Sequence, residues 1–381
     1  MSTNPTYTVD RHDFVNALQR ASLVANGKSS QDVDRLIVIA ADTTTQTLTI
    51  RAFRNGVYGI AIVIPATVIE SHACGVLYTD VASRVGFLPA ERLELFALHG
   101  ELGVRADAIR TAIPCVTAIA IPYDVVQDFH VVGTFQSDAL LRALTMAVIT
   151  ADPSSNVVTH CVHIVITNDM LTIVGASPTL GVTHTRATIA PTDMAIDILL
   201  PRGIAQLLSG VLDGTTFTLL QDDKQNQIAF RCGNTTFHTV LGGGTYPDAI
   251  EGIVATRPTT TCMASVKGLE SILGLVRQSK TDRDTTTRAV LVLSPTVLHV
   301  KAPGRGYAGK SEARFPIELV GKPVTIECNA DEMLEILRAV RGTTIDLGIT
   351  DRGFIRVTSP DDLGMVHVAS PIRVEWEKTE E

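Results

Sequence analysis

Residues 196–211 read IDILLPRGIAQLLSGV, and residues 216–248 read TFTLLQDDKQNQIAFRCGNTTFHTVLGGGTYPD. The first run is a strand, Ile196–Leu200, then a helix opening after Pro201, where a missing N–H leaves no partner unsatisfied. Ile204, Leu207, Leu208 and Val211 recur at spacings of three and four, which places them on one buried helix face. Strands follow at Thr216–Leu220, Ile228–Arg231 and Thr236–Leu241, with a polar turn at Gln221–Gln227. The run closes on Tyr246-Pro247-Asp248.

The same order of elements occurs twice more. Upstream it is Gly75–Tyr78, a helix with Val81, Val85 and Leu88, then Leu93-Glu94-Leu95, a turn at His99-Gly100, and Leu102–Arg105, ending at Ile121-Pro122-Tyr123-Asp124. Downstream it is Val324–Glu327, a helix with Met333, Leu334, Leu337 and Val340, then Ile345-Asp346-Leu347, a turn at Asp351-Arg352-Gly353, and Ile355–Val357, ending at Ser370-Pro371-Ile372. The closing prolines, Pro122, Pro247 and Pro371, lie about 125 residues apart. A period that long describes whole domains, because solenoid repeats span only a few dozen residues.

The chain has 381 residues, so each third is large enough to bury a core of its own. With 45% hydrophobic and 19% charged residues it reads as globular. No apolar run reaches membrane-spanning length, and Met1–Pro5 carries no basic-then-apolar signal. Six scattered cysteines without a Cys-x-x-Cys pair read as reduced thiols of a cytoplasmic protein. A net charge of −8 argues against a chain coated in basic patches but leaves room for a local one.

The other half of each third repeats as well. A first helix, about His12 to Asn26, carries Phe14, Val15, Leu18 and Ala21. A second starts at Ser137, a good N-cap residue, and carries Leu140, Leu141, Leu144 and Val148. A third carries Leu269, Ile272, Leu273 and Val276. Paired strands follow each: Leu36–Ala40 and Leu48–Phe53, with Asn55-Gly56 marking a tight hairpin into Val57–Ile64; Val162–Thr167 and Leu171–Gly175; and Ala289–Leu293 and Val297–Lys301. Each third thus holds two helices and roughly eight strands, an α+β organisation divided at 1–127, 128–255 and 256–381. Linkers are expected at Tyr123–Val131 and, in extended form, at Ala249–Thr261.

Three domains of two helices on antiparallel sheets resemble the bacterial DNA sliding clamp, the beta subunit of DNA polymerase III. Leu199-Leu200-Pro201-Arg202-Gly203 is similar to the family's Val-Pro-Arg-Lys, Tyr246-Pro247-Asp248 to Phe-Pro-Asp-Tyr, and Ala369-Ser370-Pro371-Ile372-Arg373-Val374 to Val-Met-Pro-Met-Arg-Leu. The resemblance covers essentially the whole chain. It implies a head-to-tail homodimer closing into a ring. The ring would encircle duplex DNA independently of sequence and tether DNA polymerase and clamp loader subunits through short peptide motifs. No catalysis, cofactor or metal is implied.

Basic side chains are expected where helices face phosphates. The candidates are Arg20, Lys28, Arg84, Arg142, Arg202, Lys267, Arg277, Arg338 and Arg341. The same helices carry Asp13, Asp80, Asp138, Asp213, Glu270, Asp331, Glu332 and Glu335, so the lining is close to neutral on paper. The resemblance places a peptide pocket at Thr159, Leu180, Pro247, Val368, Pro371, Ile372 and Arg373. The sequence departs from the family at Ala176–Gly181, at Glu251 where a basic residue is usual, and in the added tail Glu375–Glu381. The dimer seam would pair Arg110–Val116 with Ala289–Leu293, with Ile113 and Val276 as apolar contacts. Arg277 stands where an apolar partner is common. A ring of this kind with changed partners, from a phage or a second genomic copy, is the alternative within the family.

A rival class rests on Gly304-Arg305-Gly306-Tyr307-Ala308-Gly309-Lys310-Ser311, which matches the phosphate-loop pattern of nucleotide hydrolases. That chemistry needs a helix next, and Glu312–Leu319 instead alternates like a strand, with Pro316 inside it. His160-Cys161-x-His163 offers two ligands on one strand face, too few for a metal site.

Overall fold

The computed structural model describes residues 6–25, 32–54, 57–117, 129–153, 158–192, 195–212, 214–222, 224, 226–278, 287–302 and 311–376. The first third contains β1 (Tyr7–Asp10), α1 (Arg11–Ser22), β2 (Leu36–Asp42), β3 (Thr47–Arg54), β4 (Tyr58–Val68), β5 (His72–Leu77), α2 (Tyr78–Val85), β6 (Arg92–Leu98), β7 (Glu101–Ala106) and β8 (Ile109–Thr117). The second contains β9 (Phe129–Gln136), α3 (Ser137–Thr150), β10 (Cys161–Thr167), β11 (Met170–Ser177), β12 (Gly181–Thr188), β13 (Ile196–Pro201), α4 (Arg202–Val211), β14 (Thr216–Asp222), β15 (Gln227–Cys232), β16 (Thr235–Val240) and α5 (Ala249–Ala255). The third contains β17 (Thr260–Ser265), α6 (Val266–Gln278), β18 (Arg288–Leu293), β19 (Val297–Ala302), β20 (Ser311–Pro316), β21 (Val324–Asn329), α7 (Ala330–Ala339), β22 (Thr344–Ile349), β23 (Ile355–Ser359), β24 (Asp362–Ala369) and β25 (Arg373–Trp376).

Every named pairing is antiparallel, and the pairing scheme recurs in each third. The first, sixth, seventh and eighth strands run side by side, as β1-β6-β7-β8, β9-β14-β15-β16 and β17-β22-β23-β24. The fifth, second, third and fourth form the companion row, β5-β2-β3-β4, β13-β10-β11-β12 and β21-β18-β19-β20. The eighth strand of one third then pairs with the fourth strand of the third before it. β16 lies beside β4, with Phe237 opposite Ile60, and β24 lies beside β12, with Val368 opposite Val182. These joints build a 12-stranded and an 8-stranded sheet, and the last row stands as a 5-stranded sheet with β25 on its edge.

The chain accordingly forms two compact units, Met1–Ser137 with Leu207–Leu241 and Asp138–Gln206 with Gly242–Glu381. In the first, Tyr7, Phe14, Leu18, Ile37, Ile50, Phe230 and Phe237 are fully buried. In the second, α6 and α7 bury Leu269, Ile272, Leu273, Met333, Leu334 and Leu337 against β17–β19 and β21–β23. Each such side chain contributes about 1.5–3 kcal/mol by leaving water.

Two local expectations are corrected. Ala249–Ala255, read as extended linker, is helix α5: Ile250 and Val254 bury themselves with Val174, Ala176, Val182 and Tyr246, and this burial outweighs the loop-like composition. Ser137 begins α3, but its hydroxyl is buried without a hydrogen-bond partner, so it does not cap the helix. Pro201 ends β13, and α4 opens directly after it at Arg202, as the sequence reading has it.

Candidate nucleic-acid and peptide interfaces

The helix cations divide by what their heads reach. Arg142 forms an ion pair with Asp362, a carboxylate only 6% exposed, so it is structural. Arg20 donates from Nη1 to Thr235 Oγ1 at 2.9 Å, Arg84 donates to the Ala112 carbonyl, and Arg202 donates from Nε to the Val148 carbonyl at 3.1 Å. Arg277 Nε lies 3.2 Å from Asp331, which ties α6 to α7, and Arg341 lies 4.0 Å from Asp138. Lys267 and Arg338 are exposed. Lys28 falls outside the described residues. Glu332, counted with the acids of the helix surface, is in fact buried at 4% exposure. Burial pushes its carboxyl above the ordinary range, and His367 opposes that shift.

The pocket residues all belong to the second unit. The structure brings two of them, Leu180 and Val368, to the β12–β24 joint. There Val182 faces Val368, Gly181 faces Ala369, and the Ser370 amide donates to the Leu180 carbonyl at 3.2 Å. Gly181 has φ +123°, and a Cβ there would sit 2.1 Å from the Val368 carbonyl oxygen, so only glycine permits this approach. Leu180 and Pro371 are half-buried, Ile372 is 39% exposed and Arg373 is exposed, while Val368 is closed off at 2%.

Thr159 and Pro247 each follow in the chain a residue of a neighbouring apolar cluster, Val158 and Tyr246. Val158, one residue before Thr159, packs into it with Cys161, Val182, Leu199 and Tyr246. Residues Val158–His160 form a tight 3-10 turn rather than the start of a strand. His163 stacks on Tyr246 with ring centroids 4.6 Å apart, and its Nε2 meets Asp197 at 2.7 Å. Burial pushes the Tyr246 hydroxyl and the Cys161 thiol up, so both stay protonated. Glu251 on α5 is 3.5 Å from buried His184 and 3.8 Å from Arg186. Arg356 holds the other end of α5, donating to the carbonyls of Val254 at 2.5 Å and Thr256 at 3.3 Å.

The seam expectation needs revision. Ile113 is 0% and Val276 is 1% exposed, each inside the core of its own unit. A side chain already withdrawn from water has no surface to lose on association. Ala289–Leu293 belongs to β18, which is paired on both sides by β19 and β21. The strand with an open side in that sheet is β20, which pairs with β19 alone among the described residues. Among the described residues, 109–114 of β8 pair with β7 alone, and β5 takes Cys115–Thr117.

Residues 304–310 of the phosphate-loop motif lie outside the described residues, but Ser311 opens strand β20, not the helix the motif requires. Among the described residues no group of three or more His, Cys, Asp or Glu side chains could hold a metal ion. No described helix is long and apolar enough to cross a membrane.

Sequence reasoning missed one buried network. Thr183 Oγ1 lies 3.0 Å from His367 Nδ1, and His367 Nε2 lies 3.2 Å from Glu332 Oε1. The available signal was positional: Glu332 sits four residues before Ile336 and directly before Met333 on the buried side of α7.

No family model matches the chain, and no curated protein matches its sequence. Solved structures do match. The DNA polymerase sliding clamp of Bacillus subtilis superimposes with a TM-score of 0.87 at 15% identity, covering 97% of this chain and 100% of that one. The DNA polymerase III beta subunit of Thermotoga maritima gives 0.85 at 14%, covering 96% and 98%. The beta subunit from the DNA polymerase of Streptococcus pyogenes gives 0.85 at 17%, covering 96% and 99%. The chain therefore has the beta-clamp fold, three similar domains of helices on antiparallel sheets.

Proposed function

We propose that this protein is a DNA sliding clamp. Two copies close head to tail into a ring that encircles duplex DNA without reading its sequence and tethers a replicative DNA polymerase in the cytoplasm. It makes and breaks no bond, and its hold on DNA is topological. The domains would run 1–127, 128–255 and 256–381.

One observation carries the reading beyond fold likeness. The joint between a fourth strand and the eighth strand of the next third is made twice within the chain, at β4–β16 and β12–β24. Its third instance would join β20 to β8. Among the described residues both have an open side, along β20 and along residues 109–114 of β8, so a second copy can complete the pattern in each direction and pair these two edges. Exposed Arg110 on β8 and Glu312 on β20 supply opposite charges to that seam. Light scattering should give twice the chain mass. The protein should stay on nicked circular DNA after loading and leave when the circle is linearised; a strict monomer at micromolar concentration would overturn the proposal.

The peptide pocket would use Leu180, Pro371 and Ile372 as its apolar wall, with Thr159, Pro247 and Arg373 at the rim. Glu251, standing where a basic residue is usual in the resembling family, favours a second reading in which the ring is kept but the partner motif has changed. Titration with a labelled polymerase-tail peptide separates the two, since the second predicts poor binding.

A further inference from the structure

The eighth strand of each third leaves its joint and crosses to the fifth strand of the same third. In the second third the Gly242 amide donates to the Leu199 carbonyl at 2.7 Å, and in the last the Ile372 amide donates to the Glu327 carbonyl at 2.7 Å. In the first third Cys115–Thr117 of β8 make the crossing, on Cys74–Val76 of β5, and here it brings two thiols together. Cys115 lies opposite Val76 and Cys74 opposite Thr117, so the cysteines are diagonal neighbours on one face. The Cys115 amide points away from β5, to the Gly100 carbonyl at 2.9 Å. The pair it makes with β5 is therefore of the non-hydrogen-bonded kind, in which side chains stand closer. The two thiols are hydrogen-bonded to each other, and the buried Tyr7 hydroxyl lies within electrostatic reach of both. Gly75, next to Cys74, faces Val116, where a Cβ would already sit 3.1 Å from Val116 Cγ2. Glycine inside a strand suits such a close approach of backbones. Cys74 is 1% exposed, and Cys115 is half-buried.

We infer that Cys74 and Cys115 form a reversible disulfide that draws β8 onto β5 and so weakens the edge that residues 109–114 of β8 offer to a second copy. The bond is independent of the sliding-clamp reading, and its effect on self-association rests on that reading. Diagonal neighbours stand about 7 Å apart between Cα atoms, and a disulfide holds them at about 5.5–6 Å. Closing the bond thus shifts β8 by about 1 Å, one residue past the open stretch that ends at Pro114. The oxidant is a low-molecular-weight disulfide. Cys115, the more exposed thiol, loses its proton to water and attacks one sulfur of the oxidant, releasing one thiolate, which water reprotonates. Cys74 then attacks the Cys115 sulfur of the mixed disulfide and passes its proton to the second departing thiolate. The protein gives up two electrons and two protons, and the oxidant becomes two thiols. Burial pushes the Cys74 thiol up to about 12, so the second attack is the slow one. In a reducing compartment such a bond is transient, as redox-sensing pairs are.

The test incubates the purified full chain with oxidised glutathione and maps disulfides by mass spectrometry of unreduced peptides. The expected map has one linked pair, Cys74 with Cys115, and leaves Cys161, Cys232, Cys262 and Cys328, all buried, as free thiols. Cys74→Ser should stop at a glutathione adduct on Cys115, and Cys115→Ser should leave Cys74 free. Light scattering of reduced and oxidised protein over a dilution series reads the consequence. Oxidation should weaken dimerisation about tenfold, an ordinary size for coupling between two sites, and the Cys74→Ser/Cys115→Ser protein should not respond. A map without the linked pair, or an unchanged dimer constant in fully oxidised protein, overturns the inference. A reduced protein that stays monomeric throughout refutes the clamp reading instead, and the peptide map still decides the bond.

Discussion

Where β4 meets β16, Gly59 lies opposite His238 and Ile60 opposite Phe237; where β12 meets β24, Thr183 lies opposite His367 and Val182 opposite Val368. The first joint is sealed by rings, with Phe53 6.0 Å from His238 and Tyr58 6.1 Å from Phe237. The second carries a polar chain from Thr183 through His367 to Glu332 on α7. A histidine occupies the eighth strand in both. In one it is held neutral by apolar surroundings, and in the other it faces a buried carboxyl. Repetition thus preserved the strand pairing but not the chemistry that closes it, because backbone hydrogen bonds set the pairing while side chains are free to differ.

The largest expected effect comes from breaking the polar joint. His367→Leu leaves Glu332 buried without its partner and should cost about 3 kcal/mol, read as a shift of the urea midpoint. Replacing Glu332 by Leu as well should restore most of that loss, because a matched apolar pair needs no solvation. His238→Phe, the corresponding change in the aromatic joint, should stay within roughly 1 kcal/mol at neutral pH. Equal costs at the two joints would erase the contrast.

Acid should separate them next. Burial lowers the His238 pKa from 6.5 to about 4. The unfolded chain therefore takes up this proton first, and stability present above pH 6.5 is lost as pH falls from there toward 4. The loss approaches about 3 kcal/mol, at 1.36 kcal/mol per unit. Thermal melts of His238→Phe should lack that part of the acid limb; an unchanged limb would show that His238 is not its source.

A smaller effect belongs to α5. Arg356→Met removes two hydrogen bonds to its last carbonyls and should cost about 1–2 kcal/mol, with faster hydrogen exchange in Ile253–Ala255 and little change at β4–β16. Smallest are the helix caps. Asn329 accepts from the amides of Asp331 and Glu332, and Asp10 from that of Asp13. Alanine at either should cost about 1 kcal/mol. The Asn329 change should also loosen the Glu332 end of the network, which a lowered melting temperature of Asn329→Ala relative to Asp10→Ala would register.

Much of this was readable beforehand. Spacings of three and four found the buried faces of α6 and α7, alternation found β18, β19, β22 and β23, and glycine marked the turn at Gly353, where φ is +82°. What could not be read was direction and partnership. The first-turn acids of α7 look alike in sequence, yet Asp331 is half-exposed and Glu332 is buried. Ile113 and Val276 look like seam residues until their own cores claim them. Arg142 looks available to phosphate until Asp362 holds it.

The sequence alone determined the local elements and their threefold recurrence, because helix and strand periods follow from backbone geometry within a few residues. Only the tertiary structure decided which strands meet across the thirds, which edges remain open, and which charged heads are engaged. Those outcomes depend on residues far apart in the chain, and no local pattern records whether a side chain ends beside water, a carboxylate or a carbonyl.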